Sequence, residues 1–156
     1  EYKNLVLLRT FSKAFALAGV RVGYLVAHPE VVQEVRKVLL PYCLGSLSQI
    51  VAETLLDHSE IVQKWIQEVI VERDRILETM RHLPNITPFP SATNFICFRT
   101  RASKRIFKGL LDQGILVRDI SDQGPLRHCL RVTVGLPKEN DRFLKALRIL
   151  GRPLPS

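Results

Sequence analysis

The chain has 156 residues, 46% of them hydrophobic and 24% charged, which is the composition of one soluble globular domain and excludes collagen-like, disordered and membrane-spanning classes. No apolar run approaches the roughly 20 residues needed to span a bilayer, and the opening EYKNLVLLRT does not read as a signal peptide. The net charge of +8 admits a nucleic-acid binder, a membrane-surface binder or an enzyme for anionic small molecules. Its distribution is uneven: residues 84–156 hold thirteen Lys/Arg against five Asp/Glu, whereas residues 1–57 hold six against five and residues 58–83 four against five.

In chain order, residues 4–9 form a short continuous apolar run that reads as a strand buried on both faces, the type found in parallel sheets covered by helices. Such a strand needs neighbours on both sides, so the chain reads as the later part of a larger fold. A polar loop, residues 10–23, leads to a second strand at residues 24–27. Pro29 suits the first turn of a helix, and apolar residues at 31, 32, 35, 38 and 39 carry it to Pro41. Ser46 with Gln49 has the form of a capping box, and the 3.6-residue period that follows predicts a long helix over 46–82, broken near Asp57 to Ser59, with Trp65 in its core stripe.

Pro84, Pro88 and Pro90 mark a connection. Beyond it, strand signals at 94–99, 115–120 and 129–134 alternate with helical patterns at 103–113 and 138–150, a compact α+β unit of three strands and two helices, and Arg152 to Ser156 read as a frayed tail. Cys43, Cys97 and Cys129 have no CxxC spacing and read as buried thiols of a reducing cytosol, and the four histidines share no metal-ligand spacing, so no metal is expected.

The chemistry concentrates in Thr10-Phe11-Ser12-Lys13 and Arg21. A lysine amine attacks a carbonyl when desolvation and a neighbouring cation leave part of it unprotonated. Thr10, Ser12 and Arg21 can hold a phosphate, the hydroxyls by hydrogen bonds and the guanidinium as a planar fork, while Gly19 and Gly23 let the backbone turn closely. The pattern asks for a cofactor with an aldehyde and a phosphate, and pyridoxal phosphate has both. The bland alternative is a solvated loop lysine and a surface arginine.

The stretch Ser-Lys-Ala-Phe-Ala-Leu-Ala-Gly-Val-Arg-Val-Gly-Tyr, residues 12–24, resembles the Schiff-base lysine segment of fold-type I pyridoxal-phosphate aminotransferases, above all the histidinol-phosphate branch. Pro41-Tyr42, the run from Pro90 to Phe95, and the segments 114–119 and 129–135 are similar to further family segments, in order along nearly the whole chain. The resemblance implies an α/β chain that is the C-terminal part of such an enzyme: residues 1–45 from the end of the large-domain sheet, 46–83 a linking helix region, 84–156 a small α+β domain. It implies that Lys13 is the Schiff-base lysine and proton carrier, that Thr10, Ser12 and Arg21 bind the cofactor phosphate, that Arg131 holds a substrate carboxylate, and that Arg118 and Tyr42 lie near a distal substrate phosphate. Asn94 is a weaker candidate. Arg118 and Arg131 otherwise read as solvent-facing strand residues, and Tyr42 as a side chain plugging a helix end.

The family's ring-nitrogen aspartate, its ring-stacking aromatic residue and further phosphate ligands precede the lysine strand and have no counterpart here, so the isolated chain is expected to transaminate weakly or not at all. A complete enzyme would be a cytoplasmic homodimer of histidine biosynthesis that moves an amine between histidinol phosphate and 2-oxoglutarate. A relative on the same scaffold, an aromatic aminotransferase or threonine-phosphate decarboxylase, is the nearest alternative. A basic nucleic-acid-binding module is the alternative of another class, resting on Arg99, Arg101, Lys104, Arg105 and Lys108, although no recognition helix or exposed aromatic run supports it.

Overall fold

The computed structural model describes residues 2–152. It divides into two compact units, residues 1–66 and 67–156.

In the first unit, β1 (Val6–Thr10) pairs antiparallel with β2 (Gly23–Ala27), with Thr10 opposite Gly23 and Val6 opposite Ala27. A two-residue turn is replaced here by a twelve-residue loop, Phe11 to Val22, with an apolar anchor of its own. Phe11, Val22 and Ala52 are buried together, with Phe15, Leu17 and Val20 packed on them. Helix α1 (Pro29–Val38) places Pro29 in its first turn and Arg36 and Lys37 in its last, where the helix dipole favours cations. Helix α2 (Ser46–Asp57) and α3 (Ser59–Arg81) are separated by His58 alone, at the break expected near 57–59. The expected capping box at Ser46 does not form: Gly45 is the cap residue, no side chain caps it, and Gln49 N–H donates to Gly45 O.

Three further expectations fail in this unit. Residues 6–10 are exposed rather than buried, with Leu8 at 75%, and their pairing is antiparallel, because β1 has a single hydrogen-bonded neighbour and no helix layer on either face. Trp65 is 41% exposed rather than core. Cys43 is exposed rather than buried; of the two cysteines beyond this unit, Cys97 is half-buried and Cys129 is buried as expected.

The second unit is a four-stranded antiparallel sheet, in the order β3 (Thr87–Pro88), β4 (Phe95–Arg99), β6 (Cys129–Thr133), β5 (Arg118–Asp119), with α4 (Ser103–Asp112) and α5 (Pro137–Leu150). The sequence shows three of these strands. It misses β3, a two-residue edge ending in Pro88, and it overextends β5, expected over 115–120, where only Arg118 and Asp119 pair with β6. Alternation fixes the faces: Ile96, Phe98, Leu130 and Val132 point into a core shared with Ile76, Leu77 and Met80 of α3, Ile106 and Leu110 of α4, and Phe143, Leu144 and Leu147 of α5. The other face carries Phe95, Cys97, Cys129 and Arg131.

A polar clamp closes the unit where β6 leads into α5. Asn140, 3% exposed, accepts from Gly135 N–H (2.9 Å) and donates to Gly135 O (2.9 Å) and to Glu72 Oε2 (2.7 Å). Arg75 grips the same Glu72 through Nε and NH2 at 2.9 and 2.7 Å and reaches Asp141 with NH1 at 2.8 Å. The Arg75 guanidinium, and then the Asn140 amide, hold the Glu72 carboxyl below its ordinary range. Glu139 accepts from Leu136 N–H at 2.8 Å and so caps the start of α5. Among the described residues no helix is long and apolar enough to cross a membrane, and no group of His, Cys, Asp or Glu can hold a metal ion.

Candidate functional site

The loop between β1 and β2 is shaped by backbone bonds at both ends. Phe11 N–H donates to Val22 O (3.1 Å), and Phe11 O accepts from Leu17 N–H (3.0 Å). Inside that ring, Ala16 N–H donates to Lys13 O (3.0 Å), so Lys13 to Ala16 is a tight turn whose last residue has φ +55°. Burial of Phe11, with its ring 4.6 Å from Phe15 and 6.0 Å from Tyr24, turns the apolar side inward and leaves Ser12 and Lys13 on the outer side.

Ser12 N–H donates to Thr10 Oγ1 at 3.0 Å, which brings two of the expected phosphate-binding hydroxyl residues together. Arg21 enters from the far end of the loop with φ +60°, a conformation uncommon for a residue with a side chain, and one guanidinium N–H is spent on Ala18 O at 2.8 Å. That bond closes a turn around Gly19 and steadies the rest of the fork. Gly23 is required where it stands: a Cβ there would lie 2.8 Å from Arg9 O, inside the strand pair. The partial desolvation expected around Lys13 is absent among the described residues, since Lys13 is exposed.

Pyridoxal phosphate fits this donor set. From Thr10 to Val22 the loop holds two hydroxyls, a lysine and an arginine and no carboxylate to compete with a phosphate. Tyr42, also in this unit, has φ +59° in the turn after α1 and is 99% exposed, so it does not plug the helix end.

In the second unit the strand register joins Arg118 and Arg131, which are direct cross-strand partners on β5 and β6. Two like charges directly opposite one another are unfavourable in an antiparallel sheet. No salt bridge among the described residues neutralises either one. Arg131 is further held with its guanidinium carbon 4.8 Å from the centre of the Phe95 ring, a cation–π contact that fixes its plane. Arg118 sits on the edge strand and is exposed; Arg131 is half-buried on an inner strand. Cys97, opposite Arg131 on β4, has its thiol pushed up to about 11, chiefly by burial and then by Cys129, so it stays protonated beside the arginines.

Asn94 adjoins this row. Its carbonyl accepts from Val134 N–H at 2.9 Å, while its side-chain Oδ1 is buried without a partner. Buried polar atoms are nearly always paired, so an unpartnered one is an exception within this unit. The sequence did not reveal the register of Arg118 and Arg131, nor Phe95 beneath Arg131. The one signal for the latter was the two-residue alternation that puts 95 and 97 on one face of β4.

The sequence profile of the family described as aminotransferase class I and II matches residues 1–147. Histidinol-phosphate aminotransferase of Chlorobaculum tepidum is 39% identical over 150 residues, covering 96% of this chain and 43% of that protein. Its counterpart in Shigella sonnei is 42% identical over 151 residues, covering 95% and 42%. Among solved structures, histidinol-phosphate aminotransferase of Sinorhizobium meliloti in complex with pyridoxal-5'-phosphate superposes with a TM-score of 0.82 at 27% identity, over 96% of this chain and 41% of that one. L-threonine-O-3-phosphate decarboxylase of Porphyromonas gingivalis does so with 0.78 at 27%, over 94% and 46%. The chain thus spans less than half the length of the relatives it matches.

Proposed function

Because the chain belongs to the class I and II aminotransferase family, we propose that it is the lysine-bearing, arginine-bearing part of a pyridoxal-phosphate enzyme that moves an amine between histidinol phosphate and 2-oxoglutarate. The observation that carries this reading is the likeness, near 40% identity along almost the whole chain, to proteins of that name. In this reading residues 1–45 belong to the cofactor-binding domain, 46–83 link it to the rest, and 84–156 form the small substrate-facing domain of a cytoplasmic homodimer.

Bound pyridoxal phosphate supplies an electron sink for the pair released when the amine-bearing carbon loses its proton. The chain's own residues do the rest. Lys13 Nζ takes the proton from that carbon and delivers it to the cofactor's C4′. The Thr10 and Ser12 hydroxyls and the free part of the Arg21 fork bind the cofactor phosphate. Arg131, held flat by Phe95, receives the substrate carboxylate as a bidentate pair, and Arg118 and Tyr42 take the distal phosphate. Asn94 Oδ1 accepts a hydrogen bond from bound ligand. The carboxylate that keeps the pyridine nitrogen protonated is not among these residues, so the chain by itself is expected to hold the cofactor without efficient turnover.

The likeness to a threonine-phosphate decarboxylase supports a second reading in which the substrate is a phosphorylated amino acid. Both readings place a phosphate near Arg118. The test is to mix the purified chain with pyridoxal phosphate and scan for a visible absorbance band, which is expected in the wild type and lost in Lys13→Ala. Absence of the band from both proteins overturns the assignment of Lys13 in this chain, and a band that survives in Lys13→Ala assigns covalent capture to another lysine.

A further inference from the structure

Cys97 and Cys129 are left unused by that chemistry. Both stand on the face of the second unit's sheet that turns away from its core, Cys97 opposite Arg131 and Cys129 opposite Arg99. The bonds from Val134 N–H to Asn94 O and from Thr100 N–H to His128 O set the phase of the ladder. These two cross-strand pairs are therefore the non-hydrogen-bonded ones, whose side chains stand closest. The four residues make a square, with the cysteines on one diagonal and the arginines on the other.

A neighbouring contact shows which diagonal is short. Phe95 and Arg131 have the same diagonal relation as Cys97 and Cys129, shifted by one pair along the strands, and the Arg131 guanidinium carbon lies 4.8 Å from the centre of the Phe95 ring. The sheet closes in this direction, and the two thiols meet along it. Burial, and after it Cys129 through charge and a hydrogen bond, push the Cys97 thiol up to about 11. The guanidiniums are engaged elsewhere: that of Arg131 over Phe95, and that of Arg99 over Phe89 at 5.3 Å, with NH2 donating to Pro125 O at 3.1 Å. Cys97 is half-buried and Cys129 buried, so a reagent meets Cys97 first.

Two sulfurs are too few for a structural zinc site, which takes four ligands. Diagonal neighbours in a sheet stand about 7–8 Å apart, whereas the Cα atoms of a disulfide are roughly 4.4–6.8 Å apart. The register thus favours one atom bonded to both sulfurs over a direct sulfur–sulfur bond. We propose that Cys97 and Cys129 form a dithiol site that captures a trivalent arsenic compound as a bridge between β4 and β6. With an arsine oxide, two arsenic–sulfur bonds form as the arsenic–oxygen bond breaks, and the two thiol protons leave with the oxygen as water. Arsenic stays trivalent, so the step needs no oxidant or reductant, and it needs no free thiolate and no cofactor.

Phenylarsine oxide, added to the full 156-residue chain and followed by intact-mass spectrometry, tests this. One adduct is expected, with a mass gain of one phenylarsenic group less two hydrogens. It is expected to survive excess mercaptoethanol, which strips arsenic held by a single thiol, and to be displaced by dithiothreitol. Unfolding the adduct in urea and alkylating it with iodoacetamide is expected to label Cys43, the exposed cysteine of the first unit, while Cys97 and Cys129 stay protected. Cys97→Ala and Cys129→Ala are each expected to lose the adduct with unchanged circular dichroism, and Cys43→Ala to keep it. No adduct surviving mercaptoethanol in the wild type, alkylation of Cys97 or Cys129 in the trapped chain, or an adduct retained in either single variant overturns the proposal.

Discussion

Removing the Asn140 side chain tests the clamp that joins the end of β6 to α3. Asn140→Ala deletes one hydrogen bond to a charged carboxylate and two to the Gly135 backbone. With neutral bonds contributing about 1 kcal/mol each and a charge-assisted bond about 1.5 kcal/mol or more, the loss is about 3.5 kcal/mol. At about 4–8 °C per kcal/mol for a small domain, the melting temperature of this unit falls by roughly 12 °C or more. The chain's single tryptophan and all three tyrosines lie at or before residue 65, outside this unit, so fluorescence reports the wrong part. Urea unfolding followed by far-UV circular dichroism is the suitable assay. Asn140→Asp separates hydrogen bonding from charge: it keeps an acceptor for Gly135 N–H but sets a second carboxylate against Glu72, and is expected to destabilise more than Asn140→Ala at neutral pH. A loss below about 1 kcal/mol for Asn140→Ala would refute the claim that this network holds the turn.

Glu72 makes a second prediction, about pH. Its folded carboxyl titrates below the ordinary range because of Arg75 and Asn140, so its stabilisation is complete above the unfolded value of about 4.3 and is lost as pH falls through the folded value. The stability difference between wild type and Glu72→Gln is therefore expected to be flat from neutral pH down to roughly 5 and to shrink in stronger acid; a difference that grows on acidification contradicts it. Arg118→Ala relieves a like-charge pair, so it is expected to leave stability unchanged or raise it by a few tenths of a kcal/mol while weakening binding of a phosphorylated substrate analogue. Equal losses of both would mean that Arg118 is only structural. In hydrogen exchange, the amides of β1 and β2, a two-stranded sheet with exposed faces, are expected to exchange much faster than those of β4 and β6, whose inner face is core; equal protection would refute this ranking.

Elements governed by local rules were legible. Pro29 and Pro137 each open a helix, and the helix break falls at His58 where the apolar period is interrupted. The core of the second unit follows from alternation along β4 and β6. What depended on partners distant in sequence was not legible. The run at residues 4–9 has the composition of a doubly covered strand, but composition states what a strand requires rather than what surrounds it, and here both faces of β1 are open. Trp65 fits the helical stripe, yet periodicity does not say whether anything lies against that stripe. The capping box at Ser46 had the right letters one residue too late, whereas Glu139 caps α5 behind a leucine that no pattern would select.

The arginines illustrate the same division within the site. Two basic residues thirteen positions apart in apolar strands look alike in sequence whether they bind a ligand or face solvent. The register makes them opposite one another, Phe95 stacks on one of them, and no salt bridge among the described residues neutralises either. Positive charge in this unit is thus not a diffuse field. Arg118 and Arg131 stand on the open sheet face, and Lys104 and Arg127 stand at the start of α4 and in the β5–β6 connection. Under the proposed function the Arg118–Arg131 pair takes substrate anions, whereas the buried Asn94 Oδ1, an acceptor, calls for a donor on the ligand rather than for an anion.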